Sequence, residues 1–362
     1  MKVCDKFGTF PKKCVPLSLH YLNILNNNTI MSEEKNTAKP LMVTLKNPDG
    51  MEVTVMEYGA IITSIKVPVG DKKVECVLGF DTYEEYRADA YLADCPYLGA
   101  VIGRNAGRIK NGKVYIGGEA VQLSQNLGEH QIHGGVEGFD KKLWKLIDLT
   151  EGMNPSAEFE YISLDGEEGY PGNVTVRVRY TLTIDNCLRV DYEGQSDKPT
   201  ILNLTQHTYF NLSEDDSDIL KHRLQIYSSY YMPLAEDSFT PTGEILPVKG
   251  TPFDYTRPKA IYEDTDRSYP AQTSDSVYMA NVVNAEKSIR MLVRTNYPVL
   301  HIYAGYYLPN FTPEGRKTIG KNRGLCFEAQ FPADATKHPD FPSVELSVGA
   351  LYKYFTEFRF VF

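Results

Sequence analysis

Six residues stand where a side chain could move or hold a proton: His133 in QIHGG, His207 in NLTQHTYFNL, His301 in VLHIYAG, Glu328 in RGLCFEAQF, Asp275 in TSDSVYM and Arg108 in IGRNAGRI. Glu328 carries the most information, because Leu325, Cys326, Phe327 and Phe331 surround it with apolar sequence. An ionised carboxylate buried among such residues costs several kcal/mol unless it is paired or hydrogen-bonded. Desolvation makes a carboxylate a stronger base, which suits proton abstraction near neutral pH. A structural ion pair with an arginine on a neighbouring strand would satisfy the same pattern. His207 follows the apolar run ILNL and precedes Tyr209–Phe210. It reads either as a hydrogen-bonded core group or as a proton donor, since imidazole titrates near pH 7. With a carboxylate across a cleft it would form an acid–base couple.

The other candidates are less specific. His133 precedes Gly134–Gly135, where the backbone can approach a ligand closely. His130 lies three residues earlier, but HQIH has no third metal ligand nearby, so no metal is expected. His301 and Tyr303 alternate along a strand and share a face, either solvated or in contact with a ligand hydroxyl. Arg108, in a Gly-rich turn, is a surface charge or a clamp of several donors for hydroxyl or phosphate. A P-loop, a GxSxG elbow and a strand–GxGxxG–helix unit are all missing, which argues against nucleotide cofactors.

Strands must position these groups. In VTVRVRYTLTI (174–184) Val174, Val176, Val178, Tyr180 and Leu182 point one way, and Thr175, Arg177, Arg179, Thr181 and Thr183 the other. Strict alternation means a half-buried antiparallel strand, and an Asp-Asn turn then leads into CLRVDYEG as a hairpin. MEVTVMEYGAIITSIKVPV reads as two strands joined near Gly59. Further strands are expected at 157–164, 200–205, 224–230, 289–295, 299–304 and 324–331, and the one short helix at 81–90. Without an internal linker or repeat, residues 40–362 predict a single all-β domain, a large β-sandwich of antiparallel sheets.

The 362-residue chain has 38 Lys+Arg against 47 Asp+Glu, a formal charge of −9, and no basic cluster, so nucleic acid is not an expected partner. No run of 18 or more apolar residues suggests a membrane span. Six cysteines without CxxC or regular spacing read as free thiols, pointing to the cytoplasm. Residues 1–39 form a separate tail. Cys14 to Leu25 is moderately apolar, but His20 and Asn23 interrupt it and no small-residue cleavage site follows, which argues against a secretory signal. Met31 opens a credible second start. Deleting residues 1–39 is expected to leave a soluble, active protein, and loss of either property on expression of 40–362 would refute this.

Taken together, GRNAGRIKNGK (103–113), IHGGVEGFDKKLW (132–144), GEEGYPGNV (166–174), NLTQHTYFNL (203–212), PTGEILPVKGTPFD (241–254) and LCFEAQFPADA (325–335) resemble the galactose mutarotase (aldose 1-epimerase) family. The resemblance runs in family order from about residue 41 to the C-terminus. It implies a mutarotase-like supersandwich with an open sugar cleft. Glu328 and His207 would be the catalytic couple, reaching a free aldohexose such as galactose or glucose from opposite sides of its ring. Arg108, His133, Tyr209, Asp275 and His301 would bind its hydroxyls. No cofactor or metal would be needed, and the protein would be a monomer or homodimer. Two departures bear on the preferred sugar: His301 stands where the family often has Gln, and Gly107 where an Asn is common. The rivals are a carbohydrate-binding sandwich without turnover, an epimerase of a phosphorylated hexose, and a mutarotase tuned to another sugar.

Overall fold

Alternation does what the sequence predicts in the centre of the chain. Val174–Leu182 buries every second residue and pairs antiparallel with Cys187–Ser196, the turn being closed by Asn186 at φ 60°. The computed structural model describes residues 39–271 and 278–362, so the tail and Asp275 lie outside the described residues. Residues 40–362 form one unit.

The largest sheet has nine strands, in the order Lys145–Thr150, Ser156–Ser163, Val174–Leu182, Cys187–Ser196, Tyr352–Val361, Arg290–Thr295, Ala280–Val283, Arg223–Ile226 and Lys259–Ala260. The C-terminal strand, absent from the sequence expectation, lies at its centre between Cys187–Ser196 and Arg290–Thr295. A second, four-stranded sheet carries the site: Tyr209–Phe210, Leu325–Gln330, Val299–Tyr303 and Asp266–Pro270, all antiparallel. Its inner face packs on the large sheet, with the Phe210 ring 4.9 Å from Phe358 and 6.0 Å from Phe327. Each buried aromatic there contributes about 1.5–3 kcal/mol through lost water contact.

The expected helix at 81–90 is split in two. Tyr83–Tyr86 has a Thr82–Glu85 capping box, and Asp89–Ala93 follows after Ala88 turns extended. Among the described residues no helix is long and apolar enough to cross a membrane. Cys76, Cys95, Cys187 and Cys326 are free thiols.

Candidate active site

Strand register assembles the site. Glu328 pairs with His301, and His301 with Ser268, so one row of side chains crosses three strands. The adjacent row runs Tyr209, Cys326, Tyr303 and Asp266. The pleat places Cys326, Glu328 and Gln330 on this same face, away from Phe327. Above it opens a cleft of about 320 Å³, within the range of small-ligand pockets. Arg108, His133, His207, Tyr209, His301 and Glu328, all singled out in the sequence, line it.

His207 sits between two short strands, and its backbone is held by bonds from its N–H to the Ala100 carbonyl (2.9 Å) and from the Gly99 N–H to its own carbonyl (3.0 Å). The Tyr209 ring braces the imidazole at 4.9 Å. Its Nε2 is 3.6 Å from Glu328 Oε1, with both residues at most 3% exposed. That gap is too narrow for a sugar ring to lie between them. The two groups stand side by side in the cleft, close enough to address two oxygens on the same carbon. Cys326 Sγ lies 3.6 Å from His207 Nδ1, and burial holds the thiol well above its ordinary pKa, so it faces the imidazole uncharged.

His133 adopts φ 51°, and Gly134 follows at φ 89°. A Cβ at Gly134 would stand 1.9 Å from the Gly103 carbonyl oxygen, so only glycine fits there. The Gly107 N–H donates to His133 Nδ1 at 3.2 Å, which requires a lone pair on Nδ1 and puts the ring proton on Nε2. Burial, followed by the charges of His207 and Arg108, pushes its pKa well below the ordinary value. His133 is therefore a neutral N–H donor. His130 takes no part: its Nδ1 accepts from the Asn111 N–H at 3.0 Å.

Asp266 is a buried cleft-lining carboxylate that the sequence did not single out. It opens the Asp266–Pro270 strand within a charged, turn-like stretch (EDTDR), and only the weak alternation of Asp266 and Ser268 marked it. Its Oδ1 lies 3.0 Å from His301 Nε2, poorly aligned with the ring N–H, while His301 Nδ1 is 2.9 Å from Ser268 Oγ. Burial would raise the Asp266 pKa, but the His301 contact and the charges of Arg108 and Arg267 outweigh it and hold the carboxyl low. For His301 burial favours loss of the proton; the Asp266 contact and the charges of Glu328 and Asp266 prevail and raise its pKa above 6.5.

The His301 cation is present at low pH and is lost as pH rises through its raised pKa. KM is expected to rise about fivefold across that range, the roughly 1 kcal/mol separating a charge-assisted from a neutral hydrogen bond. In His301→Gln this dependence should be absent, and identical KM–pH curves for the two proteins would defeat the assignment.

Arg108 is set by pairing of Arg108–Ile109 with Gln131–Ile132, and its guanidinium lies 5.6 Å from the Phe239 ring centre. Arg108 Nε and Gln330 Oε1 are buried around the cleft without a hydrogen-bond partner. Each such group costs about 1–3 kcal/mol until something polar satisfies it, so the lining favours a ligand rich in hydroxyls. His133, His207 and Glu328 also offer donor atoms within 4.8 Å of one another, the composition of a His₂Glu zinc site. The Gly107 bond opposes that use, because it presents a proton rather than a lone pair at His133 Nε2. The trio is better suited to oxygen.

An imidazole and a carboxylate side by side in a polar cleft on an all-β scaffold are the groups of an acid–base enzyme. Residues 41–359 match the family described as Aldose 1-epimerase. The chain is 35% identical to the aldose 1-epimerase of Haemophilus influenzae over 88% of its length and 95% of that protein's. It is 36% identical to the galactose mutarotase of Bos taurus over 86% of its length and 92% of that protein's. The crystal structure of galactose 1-epimerase from Lactobacillus acidophilus superposes with a TM-score of 0.78 at 29% identity, covering 92% of this chain and 97% of that one. An aldose epimerase homologue from C. elegans gives 0.81 at 27% identity, covering 89% and 99%. The chain belongs to the aldose 1-epimerase family.

Proposed function

We propose that the protein interconverts the α and β anomers of a free aldohexose, galactose or glucose, with Glu328 and His207 as the couple. Glu328 takes the proton from the C1 hydroxyl while His207, as imidazolium, protonates the ring oxygen. The bond between C1 and the ring oxygen breaks and leaves an open-chain aldehyde. Rotation about C1–C2 presents the other carbonyl face, and the former ring oxygen attacks it. His207 recovers its proton and Glu328 returns the other to O1. Atoms and charge balance with no external reactant.

The observation that carries this reading is the 3.6 Å approach of His207 Nε2 to Glu328 Oε1 inside the cleft. O1 and the ring oxygen share one carbon, so the acid and base must act side by side. His133, as a neutral donor, Arg108, Asp266 and His301 would hold the remaining hydroxyls, with Tyr209 bracing His207. Arg108 is the one Arg or Lys among the described cleft-lining residues, which supports an uncharged sugar over a phosphorylated one. We also place the enzyme in the cytoplasm, in keeping with its free thiols, and treat residues 1–39 as dispensable.

Polarimetry of freshly dissolved α-galactose, α-glucose and other α-aldoses tests the proposal. Accelerated decay toward the equilibrium rotation is expected for at least one aldohexose. Sugar binding without acceleration would make the protein a lectin-like binder instead.

A further inference from the structure

Gln330 has its carboxamide oxygen buried with nothing to accept from. It ends the Leu325–Gln330 strand two residues beyond Glu328, on the same face, and lines the cleft at 2% exposure. Its cross-strand neighbour Val299 is apolar and offers no partner. On the other side stands Gly107, where a Cβ would come within 3.4 Å of Gln330 Nε2 and 2.8 Å of Ala333 Cβ. The bare backbone at Gly107 leaves room beside the amide nitrogen at the cleft wall.

A carboxamide is the side chain that both donates and accepts in one plane, and a hydroxyl is the ligand group that does the same. Arg108 can only donate, and ionised Asp266 can only accept. Two residues along a strand span about 7 Å, so Gln330 lies a pyranose's reach from the Glu328 carboxylate rather than beside the reacting C1. We propose that Gln330 is a further substrate-binding residue, pairing with one non-anomeric ring hydroxyl and so sorting aldoses by whether that hydroxyl is present and how it is oriented. This assignment rests on the reading of the cleft as an aldose site.

The test compares wild type, Gln330→Met, close in shape but apolar, and Gln330→Glu, which can accept but not donate when ionised. Steady-state kinetics use α-galactose and its 2-, 3-, 4- and 6-deoxy analogues. With galactose, Gln330→Met should raise KM about 3–10-fold and leave kcat within about twofold, the signature of lost uniform binding. For one of the ring deoxy analogues the variant and the wild type should have the same KM, because the partner is already missing. Gln330→Glu, which buries an unpaired charge on the same face as Glu328, should raise the galactose KM at least as much as Gln330→Met. An unchanged galactose KM in Gln330→Met overturns the assignment, as does an equal penalty on every analogue, which would mark a structural role. Wild-type turnover is the internal control: if no fresh aldose is accelerated, the aldose reading itself fails and this assignment with it.

Discussion

Glu328→Gln is expected to turn over fresh α-galactose at least about 100-fold more slowly than the wild type, with KM changed far less. A positioned general base contributes ~10²–10⁴-fold in rate. Gln keeps the shape and can still hydrogen-bond the C1 hydroxyl, but it cannot take the proton. The loss should therefore fall on kcat. Folding should survive, because the substitution removes a charge from a site that is 2% exposed and adds no volume. Among the described residues the ionisable partner within 4 Å of Glu328 is His207 rather than an arginine, so no structural ion pair of the Arg–Glu kind is broken. Stopped polarimetry on purified, folded variant is the measurement. A kcat within threefold of wild type would remove Glu328 from the reaction.

His207→Asn should be as damaging. Asn fits between the Ala100 and Gly99 backbone bonds that hold residue 207, and it can donate a hydrogen bond to the ring oxygen. It has no acidic proton to deliver, so C1–O cleavage would have to expel a poor leaving group unaided. A fall in kcat of about 100-fold or more is expected, of the order of one acid catalyst. In the proposed exchange the two residues work as a unit, so Glu328→Gln/His207→Asn should be little worse than the weaker single variant. In wild type the couple should give a bell-shaped kcat/KM profile. Either single variant should lose that bell shape. Additive losses in the double variant, or an unchanged bell-shaped profile in either single variant, would count against a working pair.

Much of this molecule is legible in one dimension, and the exceptions share a cause. Val174–Leu182 announces itself because burial on one face has a period of two residues, and Glu328 stands out because a charge in LCFEAQF has no cheap explanation. These are local properties, set by each segment's own pattern, and together with the family strings they gave the all-β class and singled out the proposed couple and several residues that line the cleft. What only the tertiary structure decided is partnership between distant segments. Asp266 lines the cleft because the Asp266–Pro270 strand docks in register beside the His301 strand, a pairing that no periodicity within EDTDR encodes. The central place of Tyr352–Val361 depends equally on strands far away in sequence. The proton position on His133 depends on a backbone N–H 26 residues distant, and the side-by-side stance of His207 and Glu328 on a separation of 3.6 Å across 121 residues of chain. Periodicity tells which face of a strand is buried; only long-range register tells what that face meets.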